Sequence, residues 1–241
     1  MTNVPEQNVR EVAGALARVR ERIAAACRRA GRSPDEVTLI GVTKTFPVEV
    51  VQAARAAGLR DFGENKVQEL VEKAASLPGE VNGGDVRWHM IGHLQRNKAR
   101  EVVRRADVFH ALDSLRLAET LEKRAADADR LLPCFVQVNV SGEASKFGLD
   151  PGAVHPFLDA LAPFEHLRIV GLMTLAAPAD EPEEVRPQFR LLRRLQQTYR
   201  GANPRVDLQY LSMGMSGDFE VAIEEGATHV RVGTALFGSR G

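Results

Sequence analysis

The sequence predicts a single (β/α)8 TIM barrel preceded by one extra helix, and three observations predict it. Eight apolar, strand-like runs alternate with helical stretches along the chain. The helical stretches carry cap and turn residues at their ends, and no low-complexity tract or linker separates the units. The length, 241 residues, suits one barrel. Residues 1–241 therefore read as one domain, with an open doubly wound sheet as the competing architecture.

The first helix runs from about residue 9 to residue 30. Val12, Leu16, Val19, Ile23 and Ala26 recur at helical spacing, arginines and glutamates fill the gaps, and Gly31 ends the element. Residues 1–31 are thus the extra helix, packed outside the ring. The first strand, Val37–Lys44 (VTLIGVTK), organises the rest: six of its eight residues are Val, Thr, Leu or Ile, the pattern of a strand covered on both faces. Further strands are expected at Leu59–Asn65, Val86–His93, Val108–Asp113, Cys134–Ser141, Leu167–Leu175, Leu208–Gly214 and Val230–Phe237. Helices fall near 47–57, 65–77, 95–106, 114–129, 151–162, 183–200 and 217–226. Pro47, Ser114, Pro151 and Asp218 mark starts, and Gly226 marks an end. Short loops are expected at 78–85 (PGEVNGGD) and 176–182.

Composition narrows the function. Lys+Arg and Asp+Glu both number 32, so no global field invites nucleic acid or an anionic membrane. The basic cluster Arg96, Lys98 and Arg100 reads as a solvated helix face. Cys27 and Cys134 read as small buried hydrophobes, not as a disulfide framework or metal pair, which favours a reducing compartment. The polar N-terminus lacks a signal-peptide core, and no apolar run approaches the ~18 residues of a membrane span. A cytoplasmic protein without nucleic-acid or membrane partners is the expectation.

In a barrel, functional groups gather at the C-terminal ends of the strands. The first strand closes on Lys44, alone among the six lysines in ending such a run; an amine held there is a nucleophile toward carbonyls, the competing reading being a solvated lysine. The other ends are Gly63-Glu64-Asn65, Gly92-His93-Leu94-Gln95, Asn139-Val140-Ser141 and Met173-Thr174. Strand seven runs into Ser212-Met213-Gly214-Met215-Ser216-Gly217, which presents backbone N–H groups and a hydroxyl at a helix start, an anion site. Strand eight runs into Arg231-Val232-Gly233-Thr234-Ala235, the second half of a phosphate cup; turn glycines with a capping serine are the competing reading. A lysine facing a phosphate cup suits a phosphorylated aldehyde, and pyridoxal 5′-phosphate (PLP) fits directly. Alternation turns Arg231 inward, toward the pyridine nitrogen, where it disfavours a protonated ring; the competing reading pairs it with Glu64 or Asp218.

Several of these segments resemble one family in order along the chain: VTKTFP at 42–47, FGENKVQE at 62–69, WHMIGHLQRNK at 88–98, SKFG at 145–148, GLMT at 171–174, SMGMSGDFEVAI at 212–223 and VRVGTALFG at 230–238. They resemble the pyridoxal phosphate homeostasis proteins, which share the barrel of alanine racemase. The resemblance implies that Lys44 carries PLP as an imine, that Ser216, Gly217, Gly233 and Thr234 hold its phosphate, that Arg231 faces the pyridine nitrogen, and that Asn65 and Met173 line the pocket. It also implies a role in balancing cellular PLP, with apo forms of PLP-dependent enzymes as recipients and without established turnover.

Two enzymatic readings compete. A racemase of low activity needs a second base opposite the lysine. The two tyrosines, Tyr199 and Tyr210, are poorly placed for it; His93 sits at a strand end, while His89 reads as a core histidine and forms no zinc pair with it. The chain stops shortly after the eighth strand, which speaks against racemisation and for a monomer. The other reading is a class I aldolase-type lyase on a sugar phosphate, in which Arg231 has no obvious partner. Lys146 is expected to approach the cofactor phosphate or to receive the cofactor in transfer.

Overall fold

The computed structural model describes residues 6–77, 85–143, 146–199, 201 and 205–238. The loop read at 78–85 lies, but for Asp85, outside the described residues, as does Ser145 of SKFG. Helix α1 (Glu6–Arg29) buries Ala15, Leu16, Val19, Ile23, Ala26 and Cys27 along one stripe, the face its period predicts. Gly31, with φ of 65°, turns the chain out of it. Eight units follow: β1 (Thr38–Val42) and α2 (Val48–Ala56), β2 (Asp61–Glu64) and α3 (Val67–Ser76), β3 (Arg87–Met90) and α4 (Ala99–Arg105), β4 (Val108–Leu112) and α5 (Leu115–Asp127), β5 (Leu132–Gln137) and α6 (Val154–Ala160), β6 (Leu167–Met173) and α7 (Arg186–Thr198), β7 (Val206–Ser212) and α8 (Phe219–Glu224), β8 (His229–Val232) and α9 (Thr234–Phe237). All strands pair in parallel and in sequence order, and β8 returns to β1 to close the barrel.

The extra helix covers the closing seam. It packs against α2, α8 and α9. Arg22 reaches Glu220 through two nitrogens at 3.2 and 3.1 Å and lies over the Phe219 ring, while Arg32 donates to the carbonyls of Ile223 and Ala227. This support falls where the sheet is thinnest: β7 and β8 share one registered pair, Ser212 with His229.

Strands end earlier than their apolar runs. The run at 230–237 is a strand only to Val232, and Ala235–Phe237, read as its continuation, are helical. Periodicity over so short an apolar run does not separate a buried strand from a buried helical turn. Lys44 lies two residues beyond β1, in a turn, and is half-buried; it is not the last residue of a buried strand. The run at 134–141 likewise yields to an isolated bridge between Val138 and Leu149, which folds the 146–149 segment back over the strand end. Gly148, at φ of 118°, permits that return, since a Cβ there would lie 2.8 Å from the Asn139 nitrogen. Among the described residues no helix is long and apolar enough to cross a membrane. Cys27 and Cys134 are both buried and free.

Candidate functional site

The C-terminal mouth of the barrel holds a cavity of about 610 Å3, within the range of small-ligand sites. Val42 and Lys44 follow from β1, Asn65 from β2, Gly92 and His93 from β3, Gln137 from β5, Leu175 and Ala176 from β6, Ser216 and Gly217 from β7, and Arg231, Gly233 and Thr234 from β8. Of the eight residues singled out for the cofactor, seven bound this cavity. Met173 does not: it is registered with Gln137 and Ser212 but fully buried in the core beneath. Lys146 lies at the rim, with its amine 2.8 Å from Glu143 and donating to the Ala176 carbonyl.

A buried ionic cluster fixes the backbone on both sides of Lys44. Lys73 Nζ donates to the Thr43 carbonyl at 2.7 Å and to Glu64 Oε1 at 2.8 Å. Thr43 Oγ1 donates to the same oxygen at 2.6 Å. Glu69 accepts from Lys73 at 3.3 Å and from the Thr45 backbone N–H. Thr45 adopts φ of 67°, a left-handed conformation that disfavours a β-branched residue and that the Glu69 contact holds. Lys44 thus leaves the strand from an over-determined turn, and its own amine meets no acceptor among the described residues. Asn65 is placed by Gly92, where a Cβ would stand 2.3 Å from the Asn65 carbonyl oxygen. Only glycine allows that approach.

The half of the cavity bounded by the loops after β7 and β8 is made of turns. Gly214, at φ of 94°, packs against Phe219 and Ala222 and throws residues 215–217 across the mouth. Ser216 Oγ accepts from the N–H groups of Gly233 at 3.2 Å and Ala235 at 3.3 Å, tying the loop after β7 to the loop after β8. The N–H groups of Ser216, Gly217 and Thr234 donate to no described acceptor. The helices that follow have six and four residues, so these converging N–H groups, and not a long helix dipole, are what favours an anion here.

Arg231 is buried, with Nη1 donating to Ser212 Oγ at 2.6 Å and Nη2 to the Thr174 carbonyl at 2.7 Å. Burial pushes its pKa down to about 10, against the pull of the Asp218 charge. Neither carboxylate weighed as its partner takes that place. Glu64 belongs to the Lys73 cluster, and Asp218 accepts from the Met215 N–H. Burial raises the Asp218 pKa, opposed by that hydrogen bond and by Arg231.

Other sequence candidates lie apart. Tyr199 donates to Asp159 on the outer surface, and Tyr210 packs edge-on against His229; neither bounds the cavity. His93 stands at the mouth, stacked on Phe147 at 3.9 Å and 3.8 Å from Asp113. His89 is a core residue, 2.9 Å from both Asp61 and His110. No group of His, Cys, Asp or Glu suited to a metal occurs among the described residues. The Lys73, Glu64 and Glu69 cluster was not anticipated. Its one signal is Glu64 closing a short, wholly buried strand.

The family described as "Alanine racemase, N-terminal domain" matches residues 15–241. A pyridoxal phosphate homeostasis protein of Aquifex aeolicus is 42% identical over 225 residues, covering 93% of this chain and 96% of the relative. PipY of Synechococcus elongatus, solved with PLP bound, superposes with a TM-score of 0.78 at 37% identity, covering 94% of this chain and all of that one. Alanine racemase from Bartonella henselae, solved with covalently bound pyridoxal phosphate, shares the fold at a TM-score of 0.73 and 17% identity, covering 96% of this chain and 59% of that one.

Proposed function

This chain belongs to the family of the alanine racemase N-terminal domain and, within it, to the pyridoxal phosphate homeostasis proteins, and from that membership we propose that it binds PLP and serves to balance its supply. The observation that carries the reading is a meeting of three unlike groups in one cavity: the Lys44 amine, the Arg231 guanidinium, and the loops of Ser216, Gly217, Gly233 and Thr234. PLP supplies an aldehyde, a pyridine ring and a phosphate, one partner for each. We assign Lys44 to the aldehyde carbon, joined through Nζ with loss of one water. The unpaired N–H groups of the two loops take the phosphate oxygens. Arg231 donates and never accepts, so it holds the pyridine nitrogen without a proton. Asn65 is assigned to the wall beside the ring.

The same residues favour a holder over a catalyst. Efficient racemisation needs a second acid–base group opposite the lysine, and His93, the imidazole in the described wall, is stacked on Phe147 near Asp113. Apo forms of PLP-dependent enzymes are the recipients we assign. We read residues 1–241 as one domain, acting as a monomer in the cytoplasm.

The deciding experiment is an absorption spectrum of the protein with PLP, then borohydride reduction and peptide mass mapping. Cofactor mass fixed on Lys44, and no visible band with Lys44→Ala, is the expected outcome. A protein that stays colourless with added PLP would sink the reading.

A further inference from the structure

A continuous file of hydrogen bonds crosses the barrel interior from one mouth to the other. At the N-terminal mouth Arg87 clasps Asp61, Nε to Oδ1 and Nη2 to Oδ2, each at 2.7 Å. Asp61 Oδ1 lies 2.9 Å from His89 Nε2, and His89 Nδ1 lies 2.9 Å from His110 Nε2. His110 Nδ1 is 3.0 Å from Ser212 Oγ, which accepts from Arg231 at 2.6 Å. Asp61, His89, His110, Ser212 and Arg231 are all buried. The file strings together β2, β3, β4, β7 and β8, and it ends on the residue that faces the cavity.

With both rings neutral, a single proton order satisfies the two ends. Arg87 only donates, and its clasp and the His89 contact hold the Asp61 carboxyl ionised by lowering its pKa against the effect of burial. Asp61 therefore accepts, and His89 carries its proton on Nε2. A neutral ring has one donor and one acceptor. His89 Nδ1 then accepts, so His110 carries its proton on Nε2 and offers Nδ1 as an acceptor to Ser212. The hydroxyl donates to His110 and keeps a lone pair for Arg231. Burial holds His110 well below the usual imidazole range, with the neighbouring His89, His229 and Arg231 acting in the same direction, as a neutral ring requires. His229 packs edge-on against both rings, at 6.4 and 6.2 Å, and adds no link to the file.

We propose that Asp61, His89, His110 and Ser212 are positioning residues forming a proton-ordered relay that sets the electrostatics and orientation of Arg231 from the opposite mouth of the barrel. From Asp61 onward every acceptor in the file turns its lone pair toward Arg231, so these dipoles add and favour a guanidinium that has no carboxylate in contact among the described residues. Ser212 and Thr174 take one N–H from each Nη, and Arg231 itself bounds the cavity. The relay deepens the assignment of this cavity to PLP and rests on it for its consequence, but its proton order is a property of the protein alone.

The test uses both. Ring-nitrogen NMR of the full-length protein without cofactor should find His89 and His110 each protonated on Nε2 and bare on Nδ1. In Asp61→Asn the order should be lost at His110 as well as at His89, although residue 61 does not touch His110. With PLP added, the visible band of Asp61→Asn should shift from that of the unaltered protein. Either ring bearing its proton on Nδ1 in the unaltered protein overturns the relay, whatever the variant does. So does a His110 tautomer and a visible band that Asp61→Asn leaves unchanged. Failure of the unaltered protein to take up PLP would instead overturn the reading of the cavity, leaving the two tautomers to decide the relay.

Discussion

Lys73 Nζ stands 2.8 Å from Glu64 Oε1, with both side chains buried, directly under the turn that carries Lys44. The second Glu64 oxygen has no hydrogen-bond partner. Burial raises the Glu64 pKa despite the hydrogen bonds from Lys73 and Thr43, so this carboxylate depends on its cation. Breaking a buried pair from one side costs about 3–5 kcal/mol. Lys73→Met is expected to lower the urea midpoint accordingly, and the double variant Lys73→Met/Glu64→Leu to recover much of the loss. A double variant as unstable as the single one would contradict this account.

The turn itself is strained. For an L-residue the left-handed conformation at Thr45 costs roughly 1–2 kcal/mol. Thr45→Gly removes that term and adds about 0.5–1 kcal/mol of unfolded-chain entropy, so the melting temperature should rise slightly or hold. The rate of band formation with PLP should fall, because Lys44 is then launched from a looser turn. Stopped-flow absorbance alongside thermal melts separates the two effects.

Ser216 is tied to two N–H groups across the phosphate loops. A hydrogen bond to a charged group is worth about 1.5–3 kcal/mol. Ser216→Ala should therefore reduce the preference for PLP over pyridoxal by roughly tenfold or more. Equal losses for both ligands would place the effect elsewhere in the cavity.

Gly92→Ala would drive a methyl group into the Asn65 backbone. Overpacking of this kind costs about 1–3 kcal/mol, and the displacement should be felt in ligand affinity as well as in stability. A variant whose PLP titration matches the unaltered protein would show that Asn65 does not shape the site.

His110 and His229 impose a pH dependence. Burial lowers both, His229 to about 3, so the unfolded rings take up protons near 6.5 while the folded ones stay neutral. The unfolded state then binds more protons, and stability, complete above that value, falls as pH drops below it. The slope is roughly 1.4 kcal/mol per pH unit for each ring. Glu64, Asp113 and Asp218, with raised pKa values, oppose the fall at lower pH. Urea midpoints between neutral pH and the onset of carboxylate titration should decline, and His229→Gln should make the decline shallower.

The sequence by itself determined the barrel, its extra helix and most of the mouth. Eight apolar runs ended by polar residues dictate a parallel sheet, because strands buried on both faces need helices between them, and their number favours the closed barrel over an open doubly wound sheet. Those polar ends must then converge on one rim, and seven of the eight chosen residues do. Sequence order fixes which strand a residue ends but not its depth in the lumen, which separated Met173, sealed in the core, from Gln137, in the cavity wall on the same register. Nor does periodicity show partners brought together across the barrel. Lys73 gains its partners only where Thr43 and Glu64 close around it, and His89, read as a core histidine, meets Asp61 on one side and His110 on the other. Those contacts join residues from different units through a shared interior. Their hydrogen bonds were decided by closure of the barrel, where burial makes a partner obligatory for any polar group.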